Sequence, residues 1–220
     1  MKKIVKFYKM NVQRVLLSFS LIVLTTILRS QSIENITISN QIWMKLNLKI
    51  DEFRNGEKIQ QAKTHKQWEK AEKKGRPAWC YYNFDSRNEE KYGKLYNWYA
   101  VSDTRGLAPL GYHIPSYPEM QLLCKNLGGE IVSGVMLKTN MDWFENGNGS
   151  NQSGFSGLPG GYYWNGNFED CGKSGIWWCA TEYEKNNKMA YSMGVYHSVS
   201  HSNFNVLNKG NGCSIRLVKD

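Results

Sequence analysis

A glycine-rich segment at residues 153–162 constrains the fold more than any other part of the chain. It reads Ser-Gly-Phe-Ser-Gly-Leu-Pro-Gly-Gly-Tyr. Four glycines and a proline within ten residues interrupt a regular helix or strand, and the aromatic rings require packing partners. The segment therefore predicts an irregular backbone with one defined path. We expect Gly160 to hold a conformation that only glycine adopts easily.

The first 30 residues differ from the rest of the chain. They contain six basic residues and no acidic one, and residues 15–28 form an apolar run. Because a membrane-spanning helix needs about 20 apolar residues, the run has the length of a signal-peptide core. We predict a signal peptide at residues 1–32, cleaved after Ser32 or Ser30, with Met1 or Met10 as the start. The alternative is an uncleaved anchor.

Export determines the expected location. Cleavage would leave a domain at residues 33–220 that is secreted or held at the cell surface, with no stable membrane span. The whole chain has a formal charge of +9, but 22 basic and 19 acidic residues remain without the six basic residues of the leader. Lysines at residues 63–76 alternate with Glu69 and Glu72, which is typical of a solvated helix face. Without a concentrated basic surface, we expect no nucleic-acid partner.

Two helices are marked by their caps. Thr64 with Gln67 has the spacing of a capping box, and the helix that it starts ends at Gly75. Ser116 with Glu119 repeats the pattern, and this helix ends where residues 128 and 129 are both glycine.

Strand patterns fill much of the remaining chain. Residues 41–48 alternate bulky and polar side chains, and Asn-Gly pairs at residues 55–56 and 165–166 predict hairpin turns. Residues 94–100 favour a short helix. We therefore predict an α+β fold: a single domain with two main helices and several short antiparallel strands.

Five cysteines follow the leader. Cys171 and Cys179 flank a four-residue loop and are the candidate disulfide, since an exported protein meets an oxidising compartment. Cys124 lies among leucines in a predicted helix, where a buried thiol is the expected role. No cysteine or histidine spacing fits a zinc site, and we predict no metal and no cofactor.

The chain resembles the Fibrobacter succinogenes major paralogous domain family. The matching segments run in family order over residues 41–220 and are residues 43–48, 92–101, 108–116, 127–129, 153–162, 177–178 and 214–220. The resemblance implies an exported or surface protein without an established activity. It also implies a C-type-lectin-like fold shared with formylglycine-generating enzymes.

Two positions depart from the family. Met120 stands where the family usually has tryptophan, and Leu217 stands where it tends to have cysteine. A family disulfide through that cysteine is therefore absent or rewired. Formylglycine-generating chemistry needs two closely spaced cysteines near the chain end, and only Cys213 is there.

We accordingly predict a non-catalytic domain with no catalytic residues. His113 is expected to be a hydrogen-bonded structural histidine, and His197 and His201 are expected to lie in a polar loop. An enzyme distantly like the formylglycine-generating enzymes, with changed chemistry, is one alternative. A structural module of a cell-envelope assembly is another.

A glycan or an extracellular protein is the predicted partner. The candidate binding residues are Trp143, Asn148, Asn151 and Trp164, since aromatic faces and planar amides are suited to sugar rings and hydroxyls. The alternative for this asparagine-rich loop is a long turn whose amides bond its own backbone. Calcium-dependent sugar-binding triplets are absent, and calcium is not predicted. By contrast, Trp98 and the pair at residues 177 and 178 are expected to lie in the core.

Overall fold

The computed structural model describes residues 34–220, so the predicted signal peptide at residues 1–32 lies outside the described part. The α-helices of this part are α1 (His65–Lys73), α2 (Glu89–Tyr92), α3 (Trp98–Val101), α4 (Tyr117–Asn126) and α5 (Glu130–Leu137). The strands are β1 (Asn35–Ile38), β2 (Gln41–Met44), β3 (Gln60–Gln61), β4 (Ala78–Cys80), β5 (Leu95–Tyr96), β6 (Tyr112–His113), β7 (Gly160–Trp164), β8 (Asn167–Cys171), β9 (Ser174–Glu182), β10 (Met189–Tyr196), β11 (Ser202–Asn208) and β12 (Val218–Lys219).

The strands form three sheets. The largest has the order β11-β10-β9-β7-β8, and its pairs are antiparallel except β7 with β9. A second sheet, β1-β2-β12-β6, joins the early strands to the last one. The third is β3-β4-β5. Mixed helices and antiparallel sheets confirm the α+β class.

The second predicted capping box is complete. The Ser116 hydroxyl accepts from the Glu119 backbone, and the Glu119 carboxylate accepts from the Ser116 N–H at 2.7 Å. At the first box, Thr64 caps α1, but the Gln67 side chain accepts from the Lys63 N–H instead of the Thr64 N–H. Both helices therefore begin where the sequence predicts.

Large aromatic side chains build the core in two clusters. In the larger cluster the Phe155 ring lies 5.8 Å from Trp43 and 5.3 Å from Trp177, centroid to centroid. In the smaller cluster Trp68 lies 5.0 Å from Tyr163. The predicted core positions are confirmed, since the side chains of Trp98, Trp177 and Trp178 are buried.

Arg216 holds the glycine-rich segment against the early strands. Its fully buried guanidinium donates to the Phe155 carbonyl, to the carbonyls of Met44 and Lys45 at 3.1 and 2.8 Å, and to Asn47 Oδ1 at 3.0 Å. Burial lowers the pKa of Arg216 to about 9. A planar fork of donors suits several fixed oxygens better than an ammonium does.

Gly161, and not Gly160, holds a conformation that favours glycine, so the expectation at Gly160 is wrong. Gly161 has φ +66°, and a Cβ there would lie 2.7 Å from the Tyr82 ring and 2.8 Å from the Cys171 nitrogen. At Gly160 the nearest atom to a Cβ would be 3.4 Å away, on Tyr92. The strained position is one residue later, where Gly161 pairs with Gly175 of β9 between the β8 pairings of Gly160 and Tyr162.

Three elements differ from the sequence prediction. Within residues 94–100, Leu95 and Tyr96 form strand β5. Helix α3 begins only at Trp98, because Asn97 is its N-cap. A third helix of substantial length, α5, follows α4 almost directly. Strand β11 follows the polar loop at His197 and His201 and pairs along β10.

The predicted disulfide is not formed. Cys171 and Cys179 are both free thiols. Strand β7 lies between their strands, β8 and β9. Two strand spacings amount to roughly 9 Å, which exceeds the ~7 Å limit between Cα atoms for a disulfide.

Within residues 34–220 no helix is long and apolar enough to cross a bilayer.

Candidate functional site

The predicted aromatic platform at Trp143 is not available to a ligand. Its side chain is 4% exposed and belongs to the larger core cluster. The indole N–H donates to Thr139 Oγ1 at 3.0 Å. The neighbouring sequence is polar, but the ring turns inward into the core cluster that also contains Leu137 and Phe155. Trp143 is a core residue, and the prediction that it binds ligand is wrong in this structure.

The side-chain amides of the loop after Trp143 bond the backbone of that loop. This agrees with the alternative from the sequence, a long turn held by its own amides. Asn148 Oδ1 accepts from the Trp143 N–H at 3.1 Å. Asn151 Oδ1 accepts from the Ser156 N–H at 2.9 Å, and its Nδ2 donates to Ser156 Oγ at 3.1 Å. These bonds fix a long turn. Asn148 and Asn151 are therefore occupied by the loop and do not converge with Trp164.

Trp164 lines a cleft of about 600 Å³. It sits at the end of β7 beside the turn formed by Asn165 and Gly166, whose φ angles are +49° and +88°. Positive values at both positions are those of a tight hairpin turn. The turn leaves the Trp164 side chain 48% exposed. Of the four predicted binding residues, Trp164 alone lines this cleft.

Helix α1 forms the opposite wall. Trp68 and Ala71 are its buried residues, so the helix is fixed from below. His65, Glu69, Glu72 and Lys73 face the cleft. Glu69 accepts from Lys73 at 2.6 Å, one turn along the helix, and this bond lowers the Glu69 pKa.

An aromatic cluster supports the floor. His65 Nδ1 lies 3.0 Å from the Tyr163 hydroxyl, and the His65 ring meets Phe84 edge to face at 4.9 Å between centroids. Phe168 packs on Phe84 at 4.7 Å. The position of His65 is thus set by both a hydrogen bond and ring packing.

Asn211 closes the cleft from the third side, together with Asn208 and Lys188. Asn211 is 5% exposed, and its Nδ2 has no hydrogen-bond partner within residues 34–220. A buried amide donor without a partner is costly, which marks the position as one where a ligand or water would be accommodated.

Glu72, on α1, contacts the residue that precedes Asn211. Its carboxylate rests on Gly210, where a Cβ would collide with it, and Gly210 directly precedes Asn211. Burial and the charge of Glu69 raise the pKa of Glu72. In the described part of the chain, no hydrogen bond or ion pair reaches the Glu72 carboxylate.

The charges of the cleft balance. Apart from His65, its lining has two carboxylates, Glu69 and Glu72, and two ammonium groups, Lys73 and Lys188. The site therefore lacks the excess of one charge that would attract a phosphate or a polyanion.

A separate polar cluster surrounds His113, and its prediction as a structural histidine is confirmed. Its Nδ1 lies 2.7 Å from Asp220 Oδ1, and its Nε2 lies 2.8 Å from Glu119 Oε1. The hydrogen bonds to Asp220 and Glu119 together outweigh burial and raise the His113 pKa. Since both ring nitrogens bond carboxylates, neither is placed to activate a hydroxyl nucleophile.

The late cysteine does not form a reactive centre. Cys213 is fully buried, and burial raises the pKa of its thiol well above the ordinary range. No group of three histidine, cysteine or acidic side chains suited to a metal ion occurs between residues 34 and 220.

These features can now be placed in a family. The family model of the Fibrobacter succinogenes major domain matches residues 36–219, nearly the whole described part. The chain belongs to this family. The match covers the glycine-rich segment, the hairpin with Trp164, α1 and Asn211 alike. No curated protein and no solved structure matches the chain. The C-type-lectin-like fold stays a prediction.

Proposed function

We propose that this member of the Fibrobacter succinogenes major domain family is an exported or cell-surface recognition domain that binds a glycan without transforming it. The binding site is the Trp164 cleft. The observation that carries the proposal is the pairing of a half-exposed tryptophan with a buried, unpartnered amide, that of Asn211, in one cleft.

The chemistry of the lining suits a sugar. The exposed indole of Trp164 offers an apolar face for a pyranose ring, and Tyr99 adds a second, half-buried ring to the lining. Around it, Glu69 and Asn208 supply oxygens and an amide that can bond hydroxyl groups.

The placement of the acids supports binding without hydrolysis. Glu69 and Glu72 are three residues apart on α1, so they share one wall of the cleft. Glycosidases generally use two carboxyl groups that flank the scissile bond, about 5–10 Å apart. The wall formed by Trp164, Asn165 and Gly166 brings no carboxylate to the other side.

Export rests on the leader sequence, which combines six basic residues with a short apolar run. An extracellular location would put the cleft among envelope and environmental polysaccharides. An extracellular protein partner and a structural role in an envelope assembly remain the competing proposals, and a purely structural role would need no cleft.

A glycan array with three proteins tests the proposal. Wild type should bind one class of glycan, and Trp164→Ala should lose at least about tenfold in affinity, because the stacking surface is removed. Phe144→Ala is the matched control, since Phe144 is 46% exposed but lies outside the cleft. It should bind as wild type does.

The other outcomes are equally informative. Binding lost in both variants, or in neither, would place the glycan elsewhere and contradict this site. Absence of glycan binding by wild type would favour the structural role. Turnover of a bound glycan by the purified protein would overturn the non-catalytic proposal.

A further inference from the structure

Five asparagines of the chain directly precede a glycine, at residues 55, 146, 148, 165 and 211. Such a pair is prone to deamidation, because glycine has no side chain to shield its nitrogen. The glycine nitrogen bonds to the side-chain carbonyl carbon of the asparagine, the bond from that carbon to Nδ2 breaks, and ammonia leaves with the proton of the glycine nitrogen. Water then opens the succinimide ring at either carbonyl, which gives aspartate or isoaspartate. The glycine N–H must therefore be free to approach the side chain.

The fold holds four of the five glycine N–H groups. Each donates to a main-chain carbonyl: Gly56 to Phe53 at 2.8 Å, Gly147 to Phe144 at 2.9 Å, Gly149 to Thr139 at 2.8 Å and Gly212 to Tyr163 at 2.9 Å. An attack by any of these nitrogens first requires the loss of that hydrogen bond. Two of the asparagines are restrained as well, since the Oδ1 atoms of Asn55 and Asn148 each accept from a backbone N–H.

The pair formed by Asn165 and Gly166 is the exception. Neither residue makes a hydrogen bond to any other part of the chain that the structure describes. The ladder of the β7–β8 hairpin ends at the flanking pair of Trp164 with Asn167. Both turn residues are exposed, and a Cβ built at Gly166 would meet no atom within 4 Å. The tip of the hairpin therefore leaves room for the backbone rotation that brings the Gly166 nitrogen to the Asn165 side chain.

The same asparagine lines the cleft. Asn165 and Gly166 form one wall with Trp164, and this wall carries no carboxylate. Conversion of Asn165 to aspartate would add one, and the balanced charges of the lining would become an excess of negative charge. Isoaspartate would in addition lengthen the main chain of the turn by one carbon atom next to Trp164. The reaction therefore changes both the charge and the shape of the cleft.

We propose that Asn165 is a deamidation site of the folded protein, and that its conversion places a negative charge on the Trp164 wall of the cleft. The hydrogen bonds of the other four glycines protect the asparagines that precede them. The reaction requires only water, and it does not depend on the glycan-binding function proposed above.

Peptide mapping by mass spectrometry, after incubation of the folded protein at mildly alkaline pH, tests the proposal. Deamidation should accumulate at Asn165 at least about fivefold faster than at each of the other four asparagines, because only Gly166 reacts without losing a hydrogen bond. In guanidinium chloride this advantage should disappear, since unfolding frees all five glycine N–H groups. An unreactive Asn165 in the folded protein, or an equal rate at one of the other four sites, would overturn the proposal.

Two matched variants identify the residue. Each replaces an exposed asparagine in a turn with glutamine, whose longer side chain cyclises far more slowly. Asn165→Gln should largely abolish the acidic species that wild type accumulates on anion-exchange chromatography. Asn55→Gln should form that species at the wild-type rate, because the Gly56 N–H is bound. An acidic species that forms at the wild-type rate in folded Asn165→Gln would contradict the assignment. If that variant does not fold, the peptide map of wild type still decides between the outcomes.

Discussion

Single residues explain why the glycine-rich segment has a fixed path. Arg216 binds the Phe155 carbonyl from one side, and Asn47 ties the same guanidinium to the end of the early strands. Gly161 lets β7 approach β8 and β9 closely. Trp164 follows three residues later on the same strand.

A pair of alanine substitutions tests this view. Gly161→Ala should lower the free energy of unfolding by about 1–3 kcal/mol, since φ +66° is unfavourable for alanine and the new Cβ meets Glu169 and Cys171. Gly160→Ala, the matched control, should change it by less than about 1 kcal/mol. Urea unfolding measures both. Equal effects at the two positions would show that neither conformation nor crowding singles out Gly161.

The elements differ in how far the sequence could predict them. Helix α4 was predictable because Ser116 and Glu119 form a local capping box and adjacent glycines end the helix. Helix α5 has no side-chain cap. Because its apolar Ile131 and Val132 are exposed, its sequence lacks the usual separation into one apolar and one polar face. Strand β11 depends on its pairing with β10, and no pattern in the β11 sequence itself predicts that pairing.

The site was predicted only in part for the same reason. Trp164 lies beside an Asn-Gly turn, and that local signal indicates exposure. The burial of Trp143 depends on Phe155 and Leu137, which pack on it only in the folded chain. Asn211 and Glu72 lie far apart in sequence, and both line the cleft only in the folded chain, where the Trp68 indole bonds the Gly210 carbonyl.

The cap of α4 should also make stability depend on pH. Hydrogen bonds from Ser116 and His113 together outweigh burial and lower the Glu119 pKa below its ordinary 4.5, while His113 has a pKa raised above 6.5. The Glu119 contribution is present above pH 4.5 and falls away as the pH drops through its lowered pKa. The His113 contribution is present below pH 6.5 and falls away as the pH rises through its raised pKa.

The difference in unfolding free energy between wild type and His113→Gln should therefore be largest between pH 4.5 and 6.5 and shrink in alkali. Urea unfolding at about pH 5.5 and about pH 8.5 measures it. The same difference at both pH values would mean that the charge on His113 does not stabilise the cluster with Asp220 and Glu119.

At the scale of the whole molecule, three separate parts of the chain supply most of the cleft, and Tyr99 and Lys188 complete it. Helix α1, the β7–β8 turn and the segment after β11 each supply one wall. The smaller core cluster links these walls, since Trp68 of α1 packs on Tyr163 of β7 and bonds the Gly210 carbonyl. Binding at this cleft should therefore protect all three parts together.

Hydrogen–deuterium exchange measures this directly, with and without the glycan that binds wild type most tightly on the array. The central claim, that the Trp164 cleft binds a glycan, predicts slower amide exchange in residues 65–73, 164–166 and 208–211. Exchange in residues 141–152, which include Trp143 and the loop after it, should stay unchanged. Protection confined to that loop, or no protection anywhere at a saturating concentration, would contradict the claim.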